Sequence, residues 1–170
     1  MATIKFGGSP AQTAGELPEL GSKAPNFKLT SGDLSEMSLS DFIGKVVVLN
    51  IFPSIGTGVC QNSVKKFNEL GTSLKNVTIL NISRDMPFSL HQWCGAEGLE
   101  NAIVLSEMRD NLFSKNYHVR MTNTKFASLF SRCVIVLDSK GFICYSEQVS
   151  EIGNEPNYEK ALEAIKNIST

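Results

Sequence analysis

"VVVLNIFPSIGTGVC", residues 46–60, decides how this chain is read. Its first seven residues are an almost unbroken apolar run, rich in β-branched side chains and bounded by Gly44 and Pro53. That is the pattern of a strand buried on both faces, and so of a central strand. The chain then breaks at Pro53 into a loop with Gly56 and Gly58 and delivers Cys60. Cys60, Val64 and Phe67 recur at helical spacing, with Lys65, Lys66, Asn68 and Glu69 between them. This spacing predicts a helix over about 58–70 with Cys60 in its first turn.

Outward from this unit, "VTILNIS" (77–83) reads as a second buried strand. Pro87 opens a short helix, "PFSLHQWC" (87–94), which Gly95 and Gly98 stop, with Leu90 and Cys94 on one face. "AIVL" (102–105) and "RDNLFSKNY" (109–117) read as a further strand and helix, followed by the polar loop "RMTNTKFAS" (120–128). "CVIVLD" (133–138) and "FICYSEQV" (142–149) form a predicted hairpin across "SKG", where Gly141 can take a positive φ. Tyr158, Leu162 and Ile165 mark an amphipathic last helix beginning at Pro156. Residues 15–44 are rich in Gly, Pro, Ser and Asp, with short apolar pieces such as "NFKL", and predict turns and edge strands. This order is the βαβ plus ββα layout of a thioredoxin-like α/β domain, a mixed central β-sheet flanked by helices. Such a fold does not by itself specify a function.

A length of 170 residues suits one domain over 1–170, large enough to bury a core without disulfides or metals. The 16 Lys and Arg nearly balance the 17 Asp and Glu, and no basic block is present, so there is no electrostatic case for nucleic acid. No segment has the length and apolarity of a signal peptide or membrane span, so a soluble, cytoplasmic protein with no membrane partner is expected. Cys60, Cys94, Cys133 and Cys144 are too few and too scattered for a disulfide scaffold. A disulfide in a reducing cytosol is expected to be transient and catalytic.

A thiolate is the reactive form of cysteine. A free cysteine titrates near pH 8.5, so only about 3% is ionised at pH 7, and an environment that favours the anion raises that fraction up to about thirtyfold. Two such features are readable at Cys60. The first turn of a helix offers unpaired N–H groups and the positive end of the macrodipole, and Thr57 can donate a hydroxyl hydrogen bond.

Pro53, Thr57 and Cys60 together resemble the peroxiredoxin active-site pattern: a proline, three residues, Thr or Ser, two residues and a cysteine. The likeness extends to "VLNIFPSIGTGVC" (48–60), "WCGAEGLEN" (93–101), "LFSRCVIVLD" (129–138) and "YSEQVSEIGNEPNYEKAL" (145–162). These resemble the thiol peroxidase subfamily, of the atypical two-cysteine type. The resemblance implies a thioredoxin-like fold with an N-terminal β-hairpin extension, and a peroxidase that needs no cofactor and no metal. By the same resemblance Cys60 is the peroxidatic cysteine, which becomes a sulfenic acid. Pro53 shields the site, Thr57 polarises peroxide and thiolate, and Arg132 supplies a permanent positive charge. Cys94 is the resolving cysteine, forming an intramolecular disulfide with Cys60 that thioredoxin reduces. Hydrogen peroxide and organic hydroperoxides are the implied substrates, and a homodimer built near the active site the implied assembly. Members commonly read "DTPVC" where this chain reads "GTGVC" (56–60), a departure that bears on loop rigidity and rate.

Each of these residues also has a plainer reading. Cys60 shares a face with Val64 and Phe67, and Cys94 with Leu90, so either could be an inert core thiol. Arg132 could be a surface arginine at a strand start. Cys133 and Cys144 lie in apolar strands and read as buried thiols. His91 and Cys94 give H-x-x-C, but no second ligand pair stands at metal spacing, and His91 and His118 read as structural or exposed. A disulfide oxidoreductase of the C-x-x-C type is disfavoured because Thr57 occupies the position three before Cys60. A non-enzymatic redox sensor would be told apart by whether the protein consumes peroxide.

Overall fold

The computed structural model describes residues 1–169. In chain order it comprises β1 (Thr3–Phe6), β2 (Ser9–Gln12), β3 (Lys28–Ser31), β4 (Glu36–Ser38), β5 (Val46–Ile51), α1 (Gly58–Ser73), β6 (Val77–Ser83), α2 (Pro87–Ala96), β7 (Ile103–Ser106), α3 (Leu112–Tyr117), β8 (Cys133–Leu137), β9 (Ile143–Gln148) and α4 (Tyr158–Ser169). Seven strands form one mixed sheet in the order β4-β3-β7-β6-β5-β8-β9, and β1 and β2 form a separate N-terminal hairpin. Among the described residues no helix is long and apolar enough to cross a membrane.

The apolar run at the centre of the sequence is β5, which pairs parallel with β6 and antiparallel with β8. Both its faces are covered, which is why its sequence does not alternate. Val47, Leu49 and Ile51 join the core beneath Phe27, Phe113, Tyr117 and Phe130. Val46 and Val48 turn the other way and meet Phe67 of α1 and Ala161 and Ile165 of α4.

Asn50 is the one polar residue in β5, and it is fully buried. Its amide donates to Ser63 Oγ of α1 at 3.2 Å and to Asn81 Oδ1 of β6 at 2.9 Å. Ser63 passes the bond on to the Cys60 carbonyl at 2.8 Å, and Asn81 donates to the Ile103 carbonyl at 3.1 Å. The chain of bonds ties two neighbouring strands to the first turn of α1. Polar atoms are tolerated here because nearly all of them find partners.

Several boundaries differ from the sequence reading for local reasons. The last helix starts at Tyr158 and not at Pro156, because Asn157 is the capping residue: its Oδ1 accepts from Lys160 N–H at 3.0 Å. The helix α3 starts at Leu112, after Asp110 has accepted the Leu112 N–H at 2.9 Å. Cys144 is exposed, not buried, because β9 is an edge strand and the alternation that buries Ile143 turns Cys144 outward. Gly141 has φ +87° in the β8–β9 turn, as the sequence predicts.

Replacing Asn50 by Ala strands the Ser63 and Asn81 groups that it serves. The variant is expected to lose about 1–3 kcal/mol of stability in denaturant unfolding. An unchanged midpoint would show that the network contributes nothing to packing β5 against α1.

Candidate active site

Where β5 ends, the chain crosses a buried Pro53 and turns into α1. Thr57 occupies the N-cap position but makes no side-chain cap bond. A threonine there ordinarily accepts a helix N–H through its oxygen. Here Oγ1 instead lies 2.7 Å from Cys60 Sγ and 3.3 Å from the Ser54 carbonyl, so the hydroxyl proton is directed to sulfur. The N–H groups of Gly58, Val59 and Cys60 precede the first intrahelical bond, from Gln61 N–H to the Thr57 carbonyl. Cys60 itself is fully buried in the first turn. Gly56 and Gly58 both have ordinary backbone angles, and a Cβ added at Gly58 meets nothing within 4 Å. Neither glycine is demanded by a positive φ.

Arg132 precedes β8, and the register that pairs Ile51 with Cys133 sets it beside the end of β5. It is only 2% exposed. Its Nη1 donates to Cys60 Sγ at 3.4 Å, while Nε and Nη2 both donate to the Ile152 carbonyl, at 3.3 and 3.0 Å. The ion pairs found among the described residues do not include Arg132. A buried guanidinium costs several kcal/mol to desolvate unless it is compensated. Among the described residues, the side-chain atom that accepts from this guanidinium is Cys60 Sγ.

Cys94 lies on the buried face of α2, in one apolar cluster with Phe52, Ile55, Cys60, Val64, Leu90 and Val104. Both cysteines are free thiols. Burial pushes the Cys94 thiol up to about 11, which cuts its thiolate fraction at neutral pH roughly hundredfold. Glu97 at the end of α2 pairs with Lys65 of α1 at 2.7 Å, and the same ammonium sits 5.8 Å from the ring centroid of Trp93. The structure thus brings Thr57 and Arg132 onto Cys60, with Pro53 buried in the loop before them, and packs Cys94 in the same apolar cluster as Cys60.

Two groups that hold this site were not singled out from the sequence. Asp85, in the short link between β6 and α2, accepts from Ser54 Oγ at 2.7 Å, Ile55 N–H at 2.8 Å and Ser83 Oγ at 2.6 Å. It fastens the loop before Cys60 to the link that leads into the helix of Cys94. The Ile152 carbonyl is the second, and as a backbone group it leaves no signal in residue type. Cys133 is buried, its thiol pushed up to about 12 by that burial, and it bonds Ser131 and Gln148. His91 and His118 are exposed. Among the described residues no group of three or more His, Cys, Asp or Glu could hold a metal ion.

Comparison with known proteins identifies the family. The Redoxin family model matches residues 19–162. Thiol peroxidase of Corynebacterium glutamicum is 44% identical over 165 residues, covering 97% of this chain and 99% of that protein. Thiol peroxidase of Mycobacterium tuberculosis is 45% identical over the same share of both chains. The crystal structure of a peroxiredoxin-like protein from Aquifex aeolicus superposes with a TM-score of 0.91 at 28% identity, covering 98% of this chain and 96% of that one.

Asp85→Ala removes three hydrogen bonds to the carboxylate at once. Amide exchange at Ile55, followed by NMR, should then accelerate at least about tenfold while β5 amides keep their protection. Equal protection of Ile55 in both proteins would show that the carboxylate does not fasten the loop.

Proposed function

The chain belongs to the thiol peroxidases of the Redoxin family and is a peroxidase acting through a cysteine thiol; on that premise we propose that Cys60 is the peroxidatic cysteine and Cys94 its resolving partner, within a single catalytic domain over 1–170. The observation that carries the assignment is the convergence of the Thr57 hydroxyl and the Arg132 guanidinium on Cys60 Sγ. Both are donors, and both favour negative charge on sulfur. The other three cysteines have no such pair of donors among the bonds found at their sulfurs.

In the proposed cycle the Cys60 thiolate attacks one oxygen of the peroxide. The S–O bond forms as the O–O bond breaks, sulfur is oxidised to the sulfenate level, and the departing oxygen takes up a proton and leaves as water or an alcohol. Negative charge moves from sulfur onto the leaving oxygen. Arg132 and the first-turn N–H groups of α1 are fixed in advance where that charge develops. Thr57 shifts its hydrogen bond from sulfur to the bound peroxide, and Pro53 keeps water from the sulfur.

Resolution forms the Cys60–Cys94 disulfide. The Cys94 thiolate attacks the sulfenic sulfur, the S–S bond replaces the S–O bond, and hydroxide leaves and is protonated to water. The burial that keeps Cys94 protonated works against this step. Local unwinding of α2 is therefore part of the proposal: it returns Cys94 to water and brings the sulfurs within bonding range. A dithiol reductant of the thioredoxin type then supplies two electrons and two protons and restores both thiols, which places the enzyme in a reducing, cytoplasmic setting. Hydrogen peroxide and organic hydroperoxides are the proposed substrates.

A homodimer belongs to the same reading. Met86, Phe88 and Leu112 are 53%, 60% and 60% exposed. Arg84 reaches Asn111 at 3.4 Å, which brings the two segments that carry them together beside α2. Exposed aromatic and methionine side chains of this kind are typical of association surfaces.

The test is stopped-flow reaction of the reduced protein with hydrogen peroxide. Cys60→Ser should abolish the reaction, whereas Cys94→Ser should keep the first step and accumulate sulfenic acid. A Cys60→Ser protein that consumes peroxide at the native rate would overturn the assignment.

A further inference from the structure

We propose that Glu151 is a positioning residue for the chemistry at Cys60, acting through Arg132, and that the N-terminal hairpin is the support it grips. This inference rests on the reading of Arg132 given above and extends it outward by two layers.

The guanidinium of Arg132 spends two of its three hydrogen bonds on one acceptor, the Ile152 carbonyl, and the third on Cys60 Sγ. Where that carbonyl sits therefore decides where Nη1 points. Yet Ile152 belongs to the connection between β9 and α4 and to no strand or helix. No ladder of periodic bonds fixes it. Its support comes from the other end of the chain. Ile152 N–H donates to the Lys5 carbonyl at 3.0 Å, and Lys5 N–H donates to the Ser150 carbonyl at 2.7 Å. The Ile152 side chain is buried with Ile4, Ala11 and Met121, so the hairpin β1–β2 packs directly on it.

Glu151 closes this attachment. Its Oε1 accepts from Gly7 N–H at 3.0 Å and its Oε2 from Gly8 N–H at 2.9 Å, the two residues at the tip of the β1–β2 hairpin. Gly7 and Gly8 have φ of +57° and +82°. Two successive positive φ values suit glycine and make the tight hairpin turn that presents both N–H groups to one carboxylate. These backbone bonds also hold the Glu151 carboxyl below its ordinary range, so the side chain is an anion at neutral pH. The path is continuous: hairpin tip, Glu151 carboxylate, the adjacent Ile152 carbonyl, Arg132, Cys60.

A carboxylate whose bonds lie on the outside of the protein would ordinarily be assigned to stability alone. The difference here is that the residue next to it carries the carbonyl that orients the buried cation. Misplacement of a reacting group by about 1 Å can cost up to a hundredfold in rate.

The test is a double-mutant cycle in the full-length protein. Glu151→Gln keeps the size of the side chain but replaces one acceptor oxygen with a donor. Its rate with hydrogen peroxide, measured under conditions where all variants are folded, should fall about tenfold. In an Arg132→Met background the same substitution should change the rate less than about twofold, because the group it positions is gone. A Glu151→Gln rate equal to the native rate overturns the proposal, and so does the same fractional loss in both backgrounds, which is what a purely structural role produces. If Arg132→Met alone keeps the native rate, the reading of Arg132 fails first and the proposal falls with it. NMR gives a second readout: the Nε–H resonance of Arg132, bonded to the Ile152 carbonyl, should shift or broaden in Glu151→Gln. An unmoved resonance also overturns the proposal.

Discussion

A guanidinium buried with no carboxylate in ion-pair reach among the described residues is the constraint on which the rest of this structure turns. Arg132 is almost wholly removed from water, and its guanidinium donates to one backbone carbonyl and one cysteine sulfur. Desolvating such a cation is unfavourable by several kcal/mol unless a counter-charge is near. In the proposed cycle the Cys60 thiolate is that counter-charge. In that proposed cycle, the same pairing that makes the sulfur an acceptable neighbour for Arg132 makes it a nucleophile. The strand register around β5 and β8, the turn at Pro53 and the anchorage of Ile152 all serve to hold these two groups together.

That requirement conflicts with resolution. The packed state proposed to activate Cys60 also buries Cys94, and that burial pushes its thiol up to about 11. The element that would have to yield is short and rests on a few buried side chains, Pro87, Leu90 and Cys94. The helix α2 is short, ends near Gly98 at φ +70°, and is tied to α1 by the Lys65–Glu97 pair. Both partners of that pair are substantially exposed, and such pairs are worth at most about 1 kcal/mol. Asp85 grips the loop before Cys60 from the link into α2, so a disturbance at one cysteine has a direct covalent and hydrogen-bonded route to the other. In the proposed cycle the site alternates between a packed form that reacts with peroxide and an opened form that makes the disulfide.

The residues that face both layers of the core were legible in the sequence because burial on two faces leaves an unmistakable apolar run. The bounds of β6 came out as read, and α1 began where the Cys60, Val64, Phe67 spacing put it. That helix runs on to Ser73, past the expected end near residue 70, because Leu70 still packs on the core and Gly71 lets α1 approach Ile79 closely. Pro53, Thr57, Cys60 and Arg132 were marked by family pattern, and the structure adds how Thr57 and Arg132 meet Cys60. Cys144 was misjudged because apolar composition does not tell an edge strand from a central one. Asp85, Glu151 and the Ile152 carbonyl stayed hidden for a different reason. Each has partners far away in sequence, Ser54 and Ile55 for Asp85, Gly7 and Gly8 for Glu151, and Arg132 for the Ile152 carbonyl, and only the fold brings them together.

The central claim is that the form which activates Cys60 and the form which contains the disulfide cannot coexist. Hydrogen exchange by mass spectrometry on fully reduced and peroxide-oxidised protein tests this most directly. On oxidation, residues 87–98 should lose protection by at least about tenfold while Val46–Ile51 stays protected. Equal protection of residues 87–98 in the two states would contradict the account, because the disulfide would then have formed without dismantling the packed site.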